Sequence, residues 1–213
     1  MHTSLRGFFL VTSCTFFVRL RLLPDDGDMP DSRDRFDKMK RKPSWLIQFW
    51  SGSLRKGSYN RMLLKEAQAA FGPAQVLEGD LNLPLYDGDL EQAEGIPEAV
   101  TTLANLIKGA DAIVISSPEY NKGISGVLKN AFDWISRVEG MAFKGKPTVV
   151  ISANAGRTGG ETGQYMTLSC LVPLQAQIVS GPTLCVAGAQ NEFDENGTLT
   201  NDHYLEVLAT RMQ

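Results

Sequence analysis

A chain of 213 residues with 43% hydrophobic and 21% charged residues has the composition of a globular α/β domain of ordinary size, not of a disordered or membrane-embedded polymer. A formal net charge of −3, with no basic stripe interleaved with aromatics, argues against a nucleic-acid partner. Cys14, Cys170 and Cys185 show neither C-x-x-C nor metal-ligand spacing, and their odd number speaks against a disulfide framework, so a reducing cytoplasm is the expected compartment.

The first forty residues differ from the rest. Gly7 to Val18 is mostly apolar and flanked by Arg6, Arg19 and Arg21, but it is too short to span a bilayer and no A-x-A-like cleavage site follows. The charged stretch from Pro24 to Lys42 lacks the apolar surface needed to order itself. Residues 1–43 are therefore expected to be a disordered extension or the product of a mis-assigned start, with Met39 as the natural first residue. The folded domain is expected at 44–213.

From Trp45 onward, strand-like and helix-like segments alternate. Trp45 to Trp50 reads as a first strand, and Ser58 to Phe71 as a first helix stopped by Gly72-Pro73. Gln75 to Asp80 is a second strand and Leu81 to Gly95 a loop. Pro97 opens a second helix with Ala99, Val100, Leu103, Leu106 and Ile107 on one stripe. Ala112 to Ser117 is a continuous apolar run suited to a central parallel strand. A third helix over Ser125 to Val138, a fourth strand over Thr148 to Ala153 and a fourth helix between Thr162 and Leu174 follow. Gln177 to Val186 reads as a fifth strand interrupted by Gly181-Pro182, and Asp202 to Met212 as the last helix.

The stretch between the first strand and helix, Ser51-Gly52-Ser53-Leu54-Arg55-Lys56-Gly57-Ser58-Tyr59-Asn60, gathers backbone amides and the positive end of a helix around one point. It lacks the Lys and Ser/Thr of a nucleoside-triphosphate loop and the three glycines of a dinucleotide fingerprint. A terminal monophosphate suits it, held by Ser53, Arg55, Ser58 and Asn60. From the loop alone, such a cradle and a plain helix cap are equally admissible. Of the two common parallel-sheet layouts, the flavodoxin-like order 2-1-3-4-5 brings this loop beside the one after the third strand, which contains Ser117-Pro118-Glu119-Tyr120-Asn121-Lys122-Gly123. A phosphate cradle beside an aromatic-bearing loop points to a ligand with a phosphate tail and a flat head.

Gly52-Ser53-Leu54-Arg55-x-x-Ser58-x-Asn60, Pro118-Glu119-Tyr120-Asn121 and Gly126-Val127-Leu128-Lys129-Asn130-Ala131-x-Asp133-Trp134 together resemble the NAD(P)H-dependent FMN reductases, a family that includes quinone, chromate and azo-dye reductases. A fourth match runs from Gly145-Lys146-Pro147 to Ala153-Asn154-Ala155-Gly156-x-x-Gly159-Gly160. The resemblance implies a doubly wound five-stranded sheet, bound FMN, NADPH or NADH as electron donor, a small flat oxidant as acceptor and a homodimer or homotetramer. It also implies that Ser53, Arg55, Ser58 and Asn60 hold the FMN phosphate and that Pro118, Glu119, Tyr120, Asn121 and Gly123 line the ring. Ser152, Asn154 and Gly156 would approach the ring from its other side. Trp50 is bulkier than expected at the end of the first strand, and Asn154-Ala155 stands where Ser-Pro is frequent.

The cofactor then carries the chemistry, with ping-pong exchange of nicotinamide and oxidant, and Tyr120 is the nearest candidate proton donor by residue type. A Ser-His-Asp hydrolase is disfavoured, because His2 and His203 are the only histidines and G-x-S-x-G is absent. The alternative is a flavodoxin-like electron carrier or flavin-binding module without nicotinamide activity.

Overall fold

The computed structural model of the protein describes residues 44–213. The expectations for the N-terminal extension lie outside the described residues. The sheet runs β2 (Gln75–Glu78), β1 (Leu46–Ser51), β3 (Ala112–Ser116), β6 (Pro147–Ala153) and β7 (Gln177–Ile178), with β8 (Cys185–Val186) also paired to β6. All of these pairings are parallel. This is the flavodoxin-like order expected from the sequence.

Both faces are covered, which explains the near-continuous apolar runs of the central strands. Ile47 and Phe49 of β1 pack with Leu63, Leu64 and Ala67 of α1 (Tyr59–Phe71) and with Leu208 and Met212 of α6 (Asp202–Met212). Trp50 points the other way, toward α3 (Glu98–Gly109) and α4 (Gly126–Ile135), with Leu171 of α5 (Glu161–Leu171) in the same layer. Trp50 is fully buried, stacked on Phe132 at 5.8 Å and edge-on to Phe143 at 5.3 Å. A Cβ at residue 79 would lie 2.6 Å from its indole nitrogen, so Gly79 is what admits this ring. The bulk of Trp50 thus fills the core beneath the sheet.

Two local expectations need correction. The loop from Leu81 to Gly95 contains a short helix, α2 (Gly88–Glu94), started by Asp87, whose side chain accepts from the Asp89 amide. No residue of α2 is buried, so it carries no apolar stripe to read. The loop after β3 folds into a hairpin, β4 (Glu119–Tyr120) against β5 (Gly123–Ile124). The fifth strand is interrupted as expected, into two fragments, β7 and β8, separated by the segment that holds Gly181-Pro182. Proline removes a ladder donor, which accounts for the break.

Candidate active site

The carboxyl ends of β1, β3 and β6 are laced together where the loops depart. The Gly52 amide donates to the Ser116 carbonyl at 2.9 Å and the Ser117 amide to the Ile151 carbonyl at 2.9 Å. A Cβ at residue 52 would lie 2.7 Å from Pro118 Cδ, so Gly52 alone allows this closeness.

In the first loop, Ser58 is the N-cap of α1, its hydroxyl oxygen accepting from the Asn60 amide at 3.2 Å. Ser53 is buried, and its hydroxyl accepts from the Arg55 amide at 3.3 Å. The amides of Leu54, Lys56, Gly57, Ser58 and Tyr59 have no acceptor among the described residues. The first turn of α1 holds no acidic side chain, and Arg55 is exposed without an ion pair among the described residues. Free amides, a helix start and an uncommitted guanidinium are the donors and positive charge that an anion would need. Asn60 turns inward instead: its Nδ2 donates to the Ala153 carbonyl at 2.8 Å, and its Oδ1 accepts from Ser116 Oγ at 2.8 Å and from the Ala153 amide at 3.1 Å. It braces the cradle from behind.

The second loop is a tight hairpin with Asn121 at φ +52° and Lys122 at φ +64°. Two consecutive positive φ values match the twist of the flanking strands, and Asn tolerates that region better than most residues. The turn leaves Tyr120 52% exposed, with its hydroxyl 3.4 Å from Ser53 Oγ, so the hairpin meets the cradle directly. Pro118 is buried behind it. The Glu119 carboxylate, by contrast, faces the protein: it accepts from the Gly163 amide at 3.1 Å and pairs with Lys122 at 3.2 Å. Burial pushes this carboxyl up, but the Gly163 and Thr162 amides and Lys122 together hold it below its ordinary value.

In the third loop, Ser152 is buried and donates to the Gly159 carbonyl at 2.8 Å, while Asn154 Nδ2 donates to the Glu119 carbonyl at 2.9 Å. Gly156 is exposed, with open space where a Cβ would stand. Gly159 is required, since a Cβ there would come within 2.4 Å of the Cys185 carbonyl oxygen. Ser53, Arg55, Ser58, Tyr120, Asn154 and Gly156 are thus gathered on the three loops at one end of the sheet. Asn60, Glu119 and Ser152 are the parts that hold those loops in place.

Gly163 and Lys122 were not singled out by sequence reasoning. The Asn-Lys-Gly run is a readable turn signal for the second, whereas nothing in a single sequence marks Gly163. The motif around Asn130 and Trp134 acts at a distance. Both side chains donate to the Pro84 carbonyl, at 2.9 and 2.8 Å, and Asn130 accepts from the Tyr86 amide at 2.8 Å, pinning the loop after β2. A cleft of about 290 Å³ opens between the first loop, α1 and the end of β2, lined by Ser51, Lys56, Arg61, Lys65 and Glu78 among others and by no residue of the hairpin. Cys170 and Cys185 are half-buried free thiols whose pKa burial pushes up. Among the described residues no helix is long and apolar enough to cross a membrane.

Comparison with known proteins identifies the family. A family model described as NADPH-dependent FMN reductase matches residues 46–191. The chain is similar to an NAD(P)H-dependent FMN reductase of Pseudomonas aeruginosa, 41% identical over 165 residues, covering 76% of this chain and 89% of the relative. It is 40% identical over 165 residues to a quinone reductase of Escherichia coli, covering 76% and 88%. The structure superposes on FerB, a flavoenzyme NAD(P)H:(acceptor) oxidoreductase of Paracoccus denitrificans, with a TM-score of 0.68 and 28% identity over 79% of this chain and 97% of that one. The family match and the relatives settle the membership: the chain belongs to the NADPH-dependent FMN reductase family.

Proposed function

We propose that residues 44–213 bind FMN with its phosphate in the loop from Ser53 to Tyr59 and its ring between the Tyr120 hairpin and the segment from Asn154 to Gly156. The observation that carries this is the set of five uncommitted amides at the start of α1, next to Arg55 and in a loop whose Ser53 hydroxyl lies 3.4 Å from the Tyr120 hydroxyl. Bound FMN would supply two-electron chemistry, accepting hydride from NADPH or NADH and passing electrons to a quinone or a similar acceptor such as free flavin, an azo dye or chromate.

The protein's own part is to hold and to shape. Ser58 caps the helix with its oxygen, which leaves its hydroxyl proton free to donate to a phosphate oxygen. Arg55 adds a charge-assisted contact from the exposed side. The exposed face of Tyr120 is a packing surface for a planar ring. The turn amides around Asn121 and Gly123 are oriented dipoles suited to developing negative charge. One open slot that nicotinamide and oxidant occupy in turn gives ping-pong kinetics.

A cytoplasmic homodimer or homotetramer fits the exposed Tyr165, Met166 and Val172, apolar side chains that such an assembly would cover. The deciding experiment is anaerobic addition of NADPH, then NADH, to the FMN-loaded protein. Rapid bleaching of the flavin, with parallel double-reciprocal lines in the quinone assay, is the expected result. Flavin that stays oxidised would leave a carrier or flavin-binding module instead.

A further inference from the structure

α5 starts on Gly160, at φ +97°, and so has no side chain of its own to cap it. Glu119 supplies the acceptor from another element, receiving the Gly163 amide at 3.1 Å while Lys122 stands 3.2 Å from the carboxylate. The Glu119 side chain is only 6% exposed, and the positive end of α5 favours its charge. Gly163 is what allows the approach. A Cβ there would lie 3.1 Å from both Cα and Cβ of Glu119 and 3.2 Å from the Pro118 carbonyl oxygen. The Glu119 carbonyl also receives Asn154 Nδ2 at 2.9 Å, so this one residue joins the hairpin, the third loop and α5.

We infer that Glu119 is a positioning residue: by capping α5 from outside, it fixes how far the Tyr120 hairpin stands from the segment from Asn154 to Gly156, and so sets the ring slot without its carboxylate touching the flavin. The inference rests on the FMN reading above. Two substitutions break the clasp from opposite sides. Glu119→Ala removes the acceptor, whereas Gly163→Ala pushes the hairpin away with its carboxylate chemically intact. Glu119→Gln keeps an oxygen for the Gly163 amide.

The test uses the full chain with FMN and measures the FMN dissociation constant by fluorescence quenching, the visible circular dichroism of bound flavin, and kcat and KM for NADPH. Both Ala variants are expected to raise the FMN dissociation constant about tenfold, on the scale of a lost helix cap, and to diminish the flavin dichroism. They should lower kcat about tenfold while KM for NADPH less than doubles, as misalignment at the reacting centre does. Glu119→Gln is expected to stay within about threefold of wild type, since it retains the cap. Gly163→Ala decides alone if Glu119→Ala does not fold.

Wild-type values in a folded Gly163→Ala variant would overturn the positioning role, and so would a Gln variant as impaired as the Ala variant, because that would assign the effect to the charge. A wild-type chain that holds no FMN would remove the FMN reading and this inference with it. FMN binding by wild type beside unaffected variants would remove the inference alone.

Discussion

Replacing Asn60 by Ala separates bracing the cradle from contacting the phosphate. The change deletes three hydrogen bonds at once, leaving the Ala153 carbonyl, the Ala153 amide and the Ser116 hydroxyl without their partner. Asn60, Ser116 and Ala153 are 3%, 0% and 2% exposed, so water has little access to replace what is lost. At about 1 kcal/mol or more for each orphaned buried group, the loss comes to about 3 kcal/mol. For a domain of this size that lowers Tm by about 6–12 °C. The assay is urea unfolding and calorimetry of the flavin-free chain, with Ser116→Ala as a milder control expected to cost about 1 kcal/mol. Flavin-free Asn60→Ala with wild-type stability and weakened FMN affinity would refute the reasoning and return Asn60 to the phosphate.

Gln48 is fully buried on β1, with neither amide atom partnered among the described residues. Gln48→Leu should therefore raise stability by about 1–2 kcal/mol in urea unfolding, and an unchanged or lower midpoint would contradict this. Arg55→Ala should weaken FMN binding about tenfold, more at low salt than at high. It should leave the flavin-free chain within about 0.5 kcal/mol of wild type, since Arg55 is exposed. The Glu119 carboxyl lies below its ordinary value of 4.5 in the folded state, so its contribution is complete above that value and is lost as pH falls through the lower folded value. Unfolding midpoints measured from pH 7 to pH 3 should thus decline less steeply in Glu119→Gln than in wild type, and equal slopes would count against the assignment.

The central strands, the first helix and the loop that joins β1 to it were legible because each is written in local pattern. The central strands are unbroken apolar runs, Gly72-Pro73 ends a helix wherever it stands, and Ser58 precedes a helix it can cap. What stayed hidden depends on contacts between distant residues. Asn60 lies in a phosphate-type motif, and only the fold shows that its amide reaches β6, 93 residues away. Glu119 sits in the aromatic loop, yet its carboxylate is drawn to α5 because Gly160 has no side chain. Trp50 looked oversized for a site and proved to fill the core, with room made by Gly79 on the neighbouring strand end. α2 left no apolar period to find, since none of its residues is buried.

The central claim is that the first loop holds the phosphate of FMN. Its most direct measurement is the visible absorbance spectrum of the purified protein after FMN is added and the mixture desalted, for wild type and for Arg55→Ala with Ser58→Ala. A flavin spectrum retained by wild type and lost by the double variant is the expected result. A wild-type protein that emerges colourless would mean that the free amides at the start of α1 are only a helix start, and the reductase reading would fail with them.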